Sequence, residues 1–338
     1  MRFLATWPFG ISALAFAAMW TPTGLSLPPT TDTEPSAVVS DSVSFTSGNT
    51  VLRGVLHHPT GTGPFPAVVF MHGGGRQFLN SEPNSFARIL VERGFAALVY
   101  DKRGTGTSEG VWSESDFEDF IGDAGAAIRF LGTRSDIRAS GIGVVGFSEG
   151  GRLAPVVAAR YPVAAAISVS GPGVSPRETR MFALENAMRE GGIDGARLQV
   201  ALELWRAHFD VLLGDGPPDR LDSAITTALA DLPAQALPPP SDRFPSEPFF
   251  NSVRFDPVPD LRRLAVPYLT LLGERDVVVP AARSAEYLRS VLEAAGNESF
   301  EITVLPEATH ALDSPPGTRH PDYVPMVMRW LETHLGGA

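Results

Sequence analysis

The chain of 338 residues contains no cysteine, which excludes disulfides, a thiolate nucleophile and any cysteine-based metal site. It contains a single lysine, Lys102, and every other fixed cation is an arginine. No run of basic residues is present and the formal net charge is −11. The basic face that holds a phosphate backbone is therefore missing, which argues against a nucleic-acid partner. The acidity reads as a solubility device. Metal-ligand spacings such as HExxH or a carboxylate cluster are also missing, so no metal and no cofactor is expected. After residue 20 no apolar run is long enough to span a membrane.

What is present is ample material for a packed core, since 43% of the residues are hydrophobic. Arg2 precedes an apolar stretch from Phe3 to Trp20, the first acidic residue is Asp32, and Gly24 and Ser26 fit a cut before Leu27. Residues 1–26 thus read as a secretory signal peptide. An uncleaved anchor or a start codon set too far upstream is the alternative, because Arg2 is a minimal basic region and Pro8 with Gly10 interrupts the apolar run. Cleavage would remove one positive charge and no negative one, leaving −12, and would place the protein outside the cytoplasm, periplasmic or secreted, with no stable membrane partner. Residues 27–37, carrying Pro28, Pro29 and Pro35, read as a linker.

From residue 38 short β-rich runs alternate with helical patterns, the mark of βαβ units and a mostly parallel sheet with helices on both faces. Strands are expected near 38–46, 50–57, 66–71, 95–100, 141–147, 163–169, 267–272 and 300–305. Helices are expected over 82–93, 115–132, 150–160, 280–295 and 321–335. Val68-Val69-Phe70-Met71 and Ala96-Ala97-Leu98-Val99 are apolar without alternation, as central strands covered on both sides require. Between 171 and 260 the strand signals vanish. Met181 to Leu184 and Leu198 to Leu213 carry helical periodicity, and Leu237-Pro238-Pro239-Pro240 interrupts it. We read 38–170 and 261–338 as an α/β core and 171–260 as a helical cap inserted over the carboxyl ends of the strands, where such sheets bind ligands.

Gly146-Phe147-Ser148-Glu149-Gly150 follows the apolar run Ile142 to Val145 and leads into a helical pattern. A serine at a sharp strand-to-helix turn stands clear of the backbone, so that a base can reach one side of its hydroxyl and a substrate the other. Glycines two before and two after it keep side chains out of that turn.

Together with His72-Gly73-Gly74-Gly75, Tyr100-Asp101-Lys102-Arg103-Gly104-Thr105-Gly106-Thr107-Ser108, Leu272-Gly273-Glu274-Arg275-Asp276 and Ala308-Thr309-His310, this elbow resembles the serine α/β-hydrolases. Within them it is most similar to bacterial esterases with a Ser-Glu-Gly-Gly elbow, related to serine peptidase catalytic domains. The likeness covers residues 43–335 and is weak in the insertion. It implies the α/β-hydrolase fold and the chain order nucleophile, acid, histidine, which Ser148, Asp276 and His310 obey. Glu274 and Asp313 are the competing acids. His57, His58, His208, His320 and His334 have no assigned role, and His72 is expected to order its glycine loop. The oxyanion donors implied are the N–H of Glu149 and that of Gly74 or Gly75. A carboxylate beside a developing negative charge is unfavourable, so the Glu149 side chain is expected to turn away toward Arg76, Arg103 or Arg152. The turn from Asp101 to Ser108 is expected to tie loops together.

The function implied is hydrolysis of a small carboxylic ester through an acyl-enzyme. Cleavage of short peptides is the nearest alternative, although residues 38–65 leave no room for the β-propeller usual in the peptidase relatives. A non-catalytic binding protein on the same fold is the alternative of another class. Natural substrate and oligomeric state stay open.

Overall fold

The computed structural model describes residues 38–78, 82–232, 247–314 and 317–336; the signal peptide and linker expected over 1–37 lie outside them. Eight strands form one sheet in the order β1-β2-β4-β3-β5-β6-β7-β8. β1 (Val39–Ser47) and β2 (Thr50–His58) make an antiparallel hairpin, and β2 runs antiparallel to β4 (Ala96–Tyr100). The remaining neighbours, β3 (Phe65–Met71), β5 (Ile137–Phe147), β6 (Ala165–Val169), β7 (Tyr268–Gly273) and β8 (Phe300–Leu305), are parallel. All eight expected strands are present. β5 starts four residues earlier than the apolar run suggested, because Ile137 already pairs with Phe65 across a break in register.

Strand alternation divides the core between two faces. Ala67, Val69 and Met71 of β3 join a cluster with Phe120, Ile128, Leu153 and Leu292, while Val68 and Phe70 join Phe86, Leu90, Tyr323 and Leu331. Accordingly α2 (Phe117–Gly132), α3 (Glu149–Arg160) and α9 (Ala281–Ala294) cover one face, and α1 (Glu82–Glu92) and α10 (Tyr323–Leu331) cover the other. The expected last helix ends short: a π turn, Glu332–Gly336, completes it. Asp116 opens α2 with a reciprocal capping box, accepting from the N–H groups of Glu118 and Asp119 while the Asp119 carboxylate accepts from its own N–H, which satisfies donors that a helix start otherwise leaves open.

Between β6 and β7 lie α4 (Pro176–Glu190), α5 (Gly195–Leu213), α6 (Pro218–Asp231), α7 (Glu247–Arg254) and the short α8 (Val258–Leu261). Leu198, Leu202, Trp205, Phe209 and Leu212 form a core of their own with Met188, Ile193 and Val253. Two contacts seat these helices on the carboxyl side of the sheet. Asn186 of α4 donates to the carbonyl of Val277, in the loop after β7, at 2.9 Å, and Asn251 of α7 donates to the Asp116 carboxylate, in the loop between β4 and α2, at 3.1 Å. The proline run 237–240 lies outside the described residues.

Candidate active site

β5 delivers Phe147 to the carboxyl edge of the sheet and α3 starts at Glu149, so Ser148 alone makes the turn, with φ 51° and ψ −113°. A positive φ is strained for any residue with a β-carbon. The surrounding packing has no room for a side chain on either flank of the turn. A side chain on Gly146 would run into the backbone of Gly150, and one on Gly150 would run into the carbonyls of Met71 and His72. The Ser148 N–H donates to the carbonyl of Val169 at 2.8 Å, which ties the turn to β6.

His310 follows β8 and the turn at Glu307. Its Nε2 lies 3.0 Å from Ser148 Oγ, and its Nδ1 lies 2.6 Å from Oδ2 of Asp276. The Asp276 side chain is fully buried, and its Oδ1 accepts from the N–H groups of Val278 and Val279 at 2.7 and 2.8 Å. With Nδ1–H donating to the carboxylate, Nε2 is left to accept the serine hydroxyl. The competing acids are elsewhere: Glu274 accepts from the Glu307 N–H at 2.9 Å, and Asp313 belongs to a two-residue strand paired with Thr318–Arg319. The chain thus brings Ser148, His310 and Asp276 into one hydrogen-bonded line.

The glycine loop after β3 passes directly beside the elbow. A β-carbon on Gly73 would sit 3.6 Å from that of Ser148, and one on Gly74 would sit 3.6 Å from the Glu149 carboxylate, whereas Gly75, at φ 79°, faces open space. His72 is buried, its Nε2 bonded to the carbonyl of Tyr100; burial holds its pKa down at about 4, so the ring is neutral.

The partner expected for Glu149 is corrected. Arg76 reaches the carbonyl of Gly104, and Arg103 binds Asp119 and Asp123. Arg152 donates to the carbonyl of Val174 and to Thr179 Oγ1; burial, then the nearby Arg180, brings its pKa down to about 9. Glu149 instead pairs with Lys102, at 2.7 Å. Lys102 Nζ also donates to the carbonyl of Gly73 at 3.1 Å and stands 4.1 Å above the Phe120 ring. The sequence marked Lys102 as the one ammonium but supplied no contact for it. Elsewhere this turn closes on itself: the Asp101 carboxylate accepts from the N–H and hydroxyl of Thr107.

The chain belongs to the alpha/beta hydrolase family, whose pattern it matches over residues 68–324. It is 26% identical over 280 residues to Esterase EstD of Thermotoga maritima, a match covering 80% of this chain but 60% of that protein. It is also 26% identical over 251 residues to a non-heme haloperoxidase of Rhodococcus erythropolis, covering 72% of this chain and 85% of that one. Among solved structures, the Pyrococcus furiosus esterase Pf2001 superposes with a TM-score of 0.60 at 17% identity, over 88% of this chain and 92% of that one.

Proposed function

We propose that the protein hydrolyses carboxylic esters through an acyl-enzyme. The observation that carries this reading is the line from Asp276 through His310 to Ser148, ending on a serine held at positive φ. His310 takes the Ser148 proton as Oγ attacks the ester carbonyl, and Asp276 keeps the imidazole in the required tautomer and stabilises the imidazolium. His310 then protonates the leaving alcohol. A water activated in the same way releases the acid and frees the serine. The amide of Glu149 and that of Gly74 or Gly75 hold the oxyanion, placed before the reaction begins. The sequence calls for no metal or cofactor in any of these steps.

The names of two relatives, Esterase EstD and the esterase Pf2001, support the ester substrate. The helices between β6 and β7 act as a cap that selects the acyl or alcohol group. The experiment is labelling with a fluorophosphonate probe together with p-nitrophenyl acetate hydrolysis: wild type reacts in both, and Ser148→Ala in neither. A Ser148→Ala protein that still labels would remove the reading.

A further inference from the structure

The contacts of Lys102 span the two sources of oxyanion donors. Its ammonium is bonded on one side to the carbonyl of Gly73, in the glycine loop after β3, and on the other to the carboxylate of Glu149, whose own backbone opens α3. The side chain is 6% exposed and that of Glu149 22% exposed. Lys102 follows β4, Gly73 follows β3 and Glu149 follows β5, and these strands are adjacent in the sheet in the order β4-β3-β5. One side chain therefore bridges three neighbouring strand ends. The carboxylate it holds is the nearest negative charge, by sequence, to the position where the ester oxygen becomes negative. Left unpaired there, in a site sheltered from water, that carboxylate would oppose the charge developing in the transition state far more than it opposes the neutral ester.

We propose that Lys102 is the positioning residue of the oxyanion site: it fixes the glycine loop against the elbow and cancels the charge of Glu149, without touching substrate. This rests on the ester-hydrolase reading above. A residue acting this way changes the transition state and leaves ground-state binding alone, whereas one that merely stabilises the fold changes neither in the folded fraction.

The test compares wild type, Lys102→Met, Glu149→Gln and the double variant. Its readouts are kcat and KM on p-nitrophenyl acetate, and the inhibition constant of a small trifluoromethyl ketone whose adduct with serine carries an oxyanion. In Lys102→Met, kcat is expected to fall roughly a hundredfold, the scale of losing an oxyanion donor. Ketone affinity should fall by a similar factor, with KM within about threefold of wild type. In the double variant the carboxylate is gone, so kcat should recover by about tenfold relative to Lys102→Met. A folded Lys102→Met enzyme with kcat and ketone affinity within threefold of wild type overturns the proposal, as does a rise in KM alone. Should Lys102→Met fail to fold, the neutral double variant decides through the same ketone measurement, wild-type affinity counting against the proposal and weakened affinity for it. A wild-type protein that neither labels with fluorophosphonate nor turns over the ester would instead remove the underlying hydrolase reading.

Discussion

Asp276 meets His310 with one carboxylate oxygen while the backbone of Val278 and Val279 holds the other. The acid cannot turn away from the imidazole without breaking both of those bonds. An asparagine here would keep its carbonyl on the two N–H groups and point its amide N–H₂ at Nδ1, forcing the proton onto Nε2, where it faces Ser148. We expect Asp276→Asn to lower kcat by roughly 10³ to 10⁴. Ser148→Ala and His310→Ala should each lower it further, with circular dichroism unchanged. A near-native rate in purified Ser148→Ala would show that the reacting serine lies elsewhere.

Stability should move in the opposite direction at the elbow. Ser148 sits at φ 51°, a conformation that suits glycine. Relief of a strain of about 1–3 kcal/mol exceeds the loss of about 0.5–1 kcal/mol that a glycine brings through chain entropy. Ser148→Gly is expected to be inactive yet about 1 kcal/mol more stable than Ser148→Ala, read as a higher urea midpoint. A Ser148→Gly midpoint below that of Ser148→Ala, by the entropic cost of glycine, would mean that the turn stores no strain.

Two histidines give the fold an acid limit. Burial brings both His72 and His208 down to about 4 from an ordinary 6.5. Because these folded values are depressed, the neutral rings contribute stability that is complete above pH 6.5 and is lost as pH falls toward 4, since only the unfolded chain takes up the protons. Between pH 6.5 and 5 each should remove on the order of 2 kcal/mol. Urea midpoints across that range should decline, and His208→Phe should reduce the slope by about half. A flat profile in wild type would contradict both assignments.

The apolar residues of the inserted helices fall into two groups. Leu202, Trp205 and Phe209 belong to the core of the insertion, with Leu184 packed against it, so Trp205→Ala should destabilise by about 3–5 kcal/mol. Phe182 is half-buried and outside that core, on the helix that bonds to Val277 beside the acid loop. Phe182→Ala is expected to alter the ranking of p-nitrophenyl esters by chain length while leaving the rate of labelling by a small phosphonate within about threefold. An unchanged ranking would take Phe182 out of the pocket.

Export remains the expectation for the N-terminal segment. Protein recovered from a native-like host should have lost about its first twenty-six residues by intact mass. Full-length protein in the cytoplasmic fraction would contradict this.

Strand positions were legible because central strands buried on both faces carry unbroken apolar runs, as at Val68–Met71. Ser148, Asp276 and His310 were singled out by the resemblance to the serine α/β-hydrolases and its chain order, and their strand-end positions agreed with it, because parallel strands bring their carboxyl ends to one edge. The Glu149 partner was not legible. Three arginines of the strand-end loops and of the helix after the elbow looked eligible, but Arg76 is drawn off by the Gly104 carbonyl, Arg103 by Asp119 and Asp123, and Arg152 by Val174 and Thr179. Lys102 reaches Glu149 only through the lateral order of β4, β3 and β5, which spacing along the chain does not encode. The starting point of β5 was hidden too, because Arg138, Ser140 and Gly141 separate Ile137 from the apolar run Ile142 to Val145.

With its one lysine 5% exposed and no cysteine in the chain, the surface offers neither a side-chain amine nor a thiol. Amine-directed crosslinkers, succinimidyl dyes and reducing sugars find no lysine to modify on the folded protein, and thiol oxidants find nothing to oxidise. A cysteine introduced at an exposed position would therefore be a unique thiol handle for a fluorophore or a solid support, attached without protecting groups.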